Sequence, residues 1–150
     1  MFRGRYEHAI DGKGRTSLPS RFREVLAATG ESRIVITTAL QPCLVAYPMA
    51  EWTAFEQRLS ELPQFDESVA MLRRIYVASA VDCEVDKLGR LLIPGTLRQH
   101  AGLTREASWA GMGKHIELWD KARYEALRED VLGDEVKRQA MGRRLAELGL

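Results

Sequence analysis

The chain is short of the residues on which most enzymes and metal proteins rely. It has two cysteines, Cys43 and Cys83, each in an apolar or alternating run, and three scattered histidines, His8, His100 and His115. No Cys/His spacing resembles a zinc site. The thiols therefore read as reduced and buried, and no metal or other cofactor is expected. The phosphate-cradling pattern Gly-x-x-x-x-Gly-Lys-Ser/Thr is absent. Gly12-Lys13-Gly14 and Gly111-Met112-Gly113 lack the third glycine of a dinucleotide fingerprint. His8 precedes Asp11, but a His so placed is far more often an ordinary strand residue than half of an acid–base pair. No signal-peptide pattern and no bilayer-length apolar run is present. The expectation is a cytoplasmic, non-enzymatic protein with neither a membrane partner nor a small-molecule substrate. The net charge of +1 says nothing about partners.

The distribution of charge says more. From Met1 to Glu24 there are six Lys/Arg against three Asp/Glu, whereas residues 50–70 hold Glu51, Glu56, Glu61, Asp66 and Glu67 against Arg58 alone. A surface polarised in this way is expected to meet an anionic partner at its basic end.

The strongest internal signal is a repeat. Asp11-Gly12-Lys13-Gly14-Arg15-Thr16-Ser17-Leu18-Pro19-Ser20-Arg21-Phe22-Arg23 returns 75 residues later as Asp86-Lys87-Leu88-Gly89-Arg90-Leu91-Leu92-Ile93-Pro94-Gly95-Thr96-Leu97-Arg98. Asp, Gly, Arg, Pro and the final Arg recur in register, so the chain contains two copies of one supersecondary unit. Within each copy, Gly14 or Gly89 suits the positive φ of a tight turn. The Asp can accept backbone N–H bonds there. The Arg leaves the turn at the head of a short strand, and Pro19 or Pro94 suits the start of a helix. Each unit thus predicts strand, hairpin turn, strand and short helix, with one guanidinium held on a rigid turn.

The rest of the pattern continues the repeat. Strands are expected at Phe2–Ile10, Thr16–Leu18, Arg33–Ala39 and Cys43–Tyr47, with helices at Ser20–Ala28 and from Pro48 through Leu59. The latter should carry Trp52, Phe55 and Leu59 inward. A linking helix begins at Asp66-Glu67-Ser68, with Val69, Leu72 and Tyr76 as its apolar stripe and Arg73-Arg74 opposite. Strand Val81–Asp86, helix Gly95–His100, strands Ala107–Gly111 and Ile116–Trp119 and helix Asp120–Val131 repeat the first half. A last amphipathic helix, Glu135–Glu147, shows Val136, Ala140, Met141, Leu145 and Leu148 on one face. The organisation expected is 1–62 and 81–132 as like units, 63–80 as the link and 133–150 as a terminal helix. Neither unit is large enough to be comfortable alone, so the two should share a core.

These residues resemble the MraZ family of bacterial regulators, within the AbrB-like, swapped-hairpin superfamily. The match is carried by Met1-Phe2-Arg3-Gly4, both Asp-x-x-Gly-Arg motifs and Cys43-Leu44-Val45-Ala46-Tyr47-Pro48 with Glu51-Trp52. Arg90-Leu91-Leu92-Ile93-Pro94, Leu97-Arg98-Gln99-His100-Ala101-Gly102-Leu103 and Glu117-Leu118-Trp119 extend it over nearly the whole chain. The resemblance implies an α+β fold of two tandem swapped-hairpin units forming a pseudo-dimeric β-barrel with peripheral helices. It implies a DNA-binding transcriptional regulator of the nucleoid, assembled as a closed homo-oligomeric ring on direct repeats in the promoter of the division and cell-wall gene cluster. It also implies DNA binding by the Asp-x-x-x-Arg motif, here Asp11/Arg15 and Asp86/Arg90.

The residues themselves suit that role. A two-stranded ribbon fits the major groove of B-DNA, and Arg can bond guanine O6 and N7 together. Arg15 and Arg90 are the expected base readers, on turns built with Asp11, Gly14 and Asp86. Arg3, Arg5, Lys13, Lys87 and Arg21 are the expected phosphate contacts. Two other readings stand beside it. In one the Asp–Arg pairs do no more than brace turns; in the other the protein is an interaction module with only sequence-blind DNA affinity.

Overall fold

Alternation in the opening segment is realised as β1 (Arg5–Ala9), with Tyr6 and His8 half-buried and Arg5, Glu7 and Ala9 exposed. The computed structural model describes residues 1–150 and contains two compact units, Met1–Asp120 and Lys121–Leu150. In the first unit the order of elements runs twice. β2 (Arg15–Ser17), α1 (Ser20–Ala27), β3 (Arg33–Thr38), β4 (Leu44–Pro48) and α2 (Met49–Ser60) follow β1. After the link, β5 (Val81–Glu84), β6 (Arg90–Leu92), α4 (Gly95–Ala101), β7 (Glu106–Gly111) and β8 (Ile116–Asp120) repeat that order, up to α5 (Lys121–Leu132).

The sheet is antiparallel, in the order β1-β7-β8-β4-β3-β5, and β2 and β6 form a separate two-stranded ribbon. Each half therefore contributes strands to both ends of one sheet. The registers are two-fold related. Leu44 pairs with Leu118 and Ala46 with Ile116 about the Val45–Glu117 centre, while Arg15 pairs with Leu92 and Ser17 with Arg90 about Thr16–Leu91.

Two expectations are corrected here. The Asp11–Arg15 and Asp86–Arg90 turns do not join strands that ladder to each other as hairpins. β1 pairs with β7, β5 with β3, and β2 with β6. A three-residue strand gains more by crossing to the other half. There, Leu18 N–H donates to the Gly89 carbonyl at 2.9 Å and Ile93 N–H to the Gly14 carbonyl at 2.9 Å, while Leu18 and Ile93 become fully buried. Each such burial contributes roughly 1.5–3 kcal/mol. Nor is the sheet a closed barrel: β1 and β5 are its free edges, since the ribbon's ladder bonds are spent within the ribbon.

Both short helices start directly after a proline, Pro19 and Pro94, in extended geometry. α4 ends at Gly102 with φ +61°, where Leu103 N–H returns to the Arg98 carbonyl at 2.9 Å, the left-handed helix stop that glycine favours. The core gathers Trp109, Phe22, Ile34, Ile36, Leu44, Ile116 and Leu118 with Leu18 and Ile93. Cys43 and Cys83 are buried free thiols, and burial pushes them up to about 12 and about 11, so neither is a ready nucleophile.

The link departs from a plain helix. α3 (Glu67–Leu72) is capped by Asp66, which accepts from Ser68 and Val69 N–H at 2.8 and 3.2 Å. It then widens into a π-helical turn, Arg73–Val77. Buried Thr37 and Thr38 on β3 donate their hydroxyls to the carbonyls of Tyr76 and Ile75. Arg73 does not point away with Arg74: it is half-buried and donates to the Leu59 carbonyl at 3.1 Å, closing the end of α2.

In the second unit α6 (Glu135–Glu147) begins at Asp134, which accepts from Lys137 N–H at 3.1 Å. Val136, Ala140, Met141, Leu145 and Leu148 on α6 and just beyond it are exposed. No helix of the chain is long and apolar enough to cross a membrane.

Candidate nucleic-acid interface

The two turns are the same object built twice. In the first, Gly14 N–H donates to the Asp11 carbonyl at 3.0 Å, with Gly14 at φ +90°. Asp11 Oδ1 accepts from Lys13 N–H and Arg15 N–H, both at 2.9 Å, and Oδ2 from Arg15 Nε at 2.7 Å. In the second, Gly89 N–H donates to the Asp86 carbonyl at 2.9 Å, with Gly89 at φ +79°. Asp86 Oδ1 accepts from Leu88 and Arg90 N–H, both at 2.9 Å, and Oδ2 from Arg90 Nε at 3.2 Å.

The Asp therefore does two jobs at once. It closes the turn, and it fixes the guanidinium through Nε, which leaves the Nη groups of Arg15 and Arg90 available to a partner. Both ion pairs are exposed, so they add little stability; what they supply is orientation. The Arg15 backbone N–H and then its side chain hold the Asp11 carboxyl down to about 2 from 3.8. The Arg90 backbone N–H lowers Asp86 in the same direction. Because the folded value is depressed, this contribution is complete above pH 3.8 and disappears as pH falls through about 2. A side-chain carboxyl NMR titration should therefore show Asp11 inflecting near pH 2. An inflection at the ordinary aspartate value would mean the turn is not held in this way.

The ribbon decides where the arginines go. Thr16 and Leu91 face the core, at 3% and 2% exposure, so the residues on either side of them must face out. Arg15, Ser17, Arg90 and Leu92 thus share the outer face. Arg15 and Arg90 are diagonal neighbours there, roughly 7–8 Å apart by antiparallel geometry. That separation is about two base-pair steps at ~3.4 Å each.

The other expected residues divide into two groups. Lys13 and Lys87 are exposed on the two turns, beside the arginines. Arg3 and Arg21 are exposed at a different place, lining a cleft of about 520 Å³ with Gly4, Tyr6 and Phe22; Arg21 pairs there with Glu24 at 3.5 Å. Arg5 is exposed at the first position of β1, opposite Ala110. Arg3 and Arg5 thus lie at the end of β1 remote from the Asp11 turn. The structure puts Arg15 and Arg90 on one ribbon face, with the Asp11–Gly14 and Asp86–Gly89 turns that carry Lys13 and Lys87 at its two ends, and it does not bring Arg3 or Arg5 to that face.

One arginine was misread from sequence and its repeat counterpart was given no role. Arg23 looks like part of the basic opening stretch and Arg98 is its repeat counterpart, yet each is half-buried beneath the turn of the other half. Arg98 Nε donates to the Ile93 carbonyl at 3.0 Å and lies against Gly14. The Arg23 guanidinium lies against Gly89, with Nη1 3.5 Å from the Leu88 carbonyl. The signal available was their recurrence nine residues after each turn glycine.

The family model for the MraZ protein, described as antitoxin-like, matches residues 1–75 and again 77–143. The chain belongs to the MraZ family. Each match contains one of the two runs of elements described above. A protein of Lachnoclostridium phytofermentans is 48% identical over 126 residues, covering 84% of this chain and 86% of its own length. One from a Marinomonas strain is 41% identical over 136 residues, 90% of each chain. One from Serratia proteamaculans is 39% identical over 152 residues, spanning both chains fully. All three are named "Transcriptional regulator MraZ". The MraZ family is thus one of named regulators, not of enzymes.

Proposed function

We propose that this MraZ-family chain is a sequence-specific, double-stranded-DNA-binding transcriptional regulator, and that the β2/β6 ribbon is its reader. The observation that carries the reading is the outer ribbon face, where two Asp-braced guanidinium groups stand side by side with their Nη groups uncommitted. A two-stranded ribbon fits the major groove, and a guanidinium held by Nε can still present two N–H groups to guanine O6 and N7. Lys13 and Lys87, exposed on the two turns, are the phosphate contacts in this reading. Arg3, Arg5 and Arg21 belong to the same function only if a neighbouring copy or curved DNA brings phosphates to their cleft. The crossed β2/β6 pairing supports reading the fold as two swapped AbrB-like hairpin units related as a pseudo-dimer.

One ribbon offers two bases and a few phosphates, less than a specific interface of about 1,000 Å². Several ribbons must act together. A homo-oligomeric ring on direct repeats in the promoter of the division and cell-wall genes meets that need, in the cytoplasm at the nucleoid and without a cofactor. Exposed Val136, Met141 and Leu145 on α6 are consistent with self-association. Footprinting on the DNA upstream of the protein's own gene tests this. Protection of short guanine-containing repeats at constant spacing is expected. Uniform protection that vanishes with salt would favour the interaction-module reading, with its sequence-blind DNA affinity.

A further inference from the structure

The outer face of the ribbon carries four side chains, and only two are arginines. Arg15 stands opposite Leu92, and Arg90 stands opposite Ser17. Leu92 is 54% exposed although Leu91 beside it, at 2%, already supplies the inward contact of β6. The first repeat has Ser17 at the equivalent place. The same asymmetry recurs on the turns, where exposed Leu88 replaces Lys13. An exposed leucine on a three-residue strand does nothing for the core. On a surface that meets base edges it has a specific counterpart, the 5-methyl group of thymine in the major groove.

Resting on the DNA-binding reading above, we propose that Leu92 is a specificity-determining residue that packs on the methyl group of a thymine next to the base taken by Arg15. Directly opposed side chains on an antiparallel pair leave Cβ atoms roughly 4.5–5.5 Å apart. That is about one and a half base-pair rises of ~3.4 Å, which puts the neighbouring step within reach of the Leu92 side chain. At the other end Ser17, beside Arg90, offers a hydroxyl that bonds any base edge and needs no methyl. The face therefore has a direction even though its backbone is two-fold. A symmetric reader suits an inverted repeat; a face with leucine at one end only distinguishes the two senses of a site, and suits sites repeated in one sense.

The test removes only the methyl group. Duplexes carrying the bases protected by the wild-type protein upstream of its own gene are made with deoxyuridine in place of each thymine in turn, and affinity is measured at fixed salt. The wild-type protein should bind one such duplex about fourfold more weakly per site, the loss expected for one methyl group left unburied. Leu92→Ser should bind that duplex and its thymine parent alike. Equal wild-type affinity for every duplex, or a methyl effect that persists in Leu92→Ser, overturns the assignment. The DNA reading survives that result if Arg15→Ala still weakens binding, and fails with it if Arg15→Ala binds as the wild type does. The deoxyuridine series needs no protein variant, so it decides the matter even if Leu92→Ser does not fold.

Discussion

Arg15→Ala is expected to weaken binding to promoter DNA by roughly 5- to 150-fold, the range for losing one bidentate arginine–guanine pair. The loss should be larger where several copies act on one DNA, because it compounds across them. Binding to random DNA should change far less, since that is set by phosphates. Arg15→Lys should not rescue, because an ammonium cannot present the planar pair of donors. Lys13→Ala should do the reverse: it should weaken binding to all sequences and flatten the log–log salt slope by about 0.9 for each phosphate no longer neutralised. Oligomer size and melting temperature should stay unchanged in Arg15→Ala, since the Asp11–Arg15 pair is exposed. Unchanged promoter affinity with the oligomer intact would remove Arg15 from the reader.

Gly14→Ala should do its damage in the fold itself. Gly14 has φ +90°, and a Cβ there would sit 2.7 Å from the Ile93 carbonyl oxygen and 2.6 Å from Arg98 Nε. The conformation alone costs about 1–3 kcal/mol for a residue with a side chain. The clash adds to it, because Ile93 is fully buried and its N–H is bonded to the Gly14 carbonyl. The melting temperature should fall by roughly 10 °C, and promoter binding should fall with it as the turn loosens. Gly12→Ala is the control: a Cβ there meets nothing within 4 Å, so its melting curve should overlay the wild type. If Gly14→Ala melts with the wild type, the glycine is not wedged between the two halves as described.

Much of this was legible in the sequence because it is local. The Asp-x-x-Gly-Arg turn is written in five residues, and helix α6, over Glu135–Glu147, falls within the bounds its periodicity predicts. Pairing across the molecule was not legible. Nothing in Thr16-Ser17-Leu18 says whether its partner is β1 nearby or β6 some 75 residues away. The choice depends on which arrangement buries Leu18 and Ile93, a property of the whole core. The same blindness affected Arg23. An arginine beside a basic stretch looks solvated until the turn of the other half is laid over it. The π-helical turn was also hidden, since the bonds that hold it come from Thr37 and Thr38 on a distant strand.

The crossed strand pairing also bears on how the protein is made. Of the pairings that the first four strands form, only β3 with β4 can close before the second half exists; β1 waits for β7, β2 for β6 and the outer edge of β3 for β5. A ribosome that has just released residue 75 therefore carries a nascent chain that cannot yet reach its native topology, with Leu18 still lacking its bond to Gly89. Folding must wait until β8, which joins β7 to β4, has been made, past Asp120, and the long-range closure it then requires is intrinsically slow. Through that interval the emerging chain is a natural client for whatever shields apolar segments at the exit tunnel.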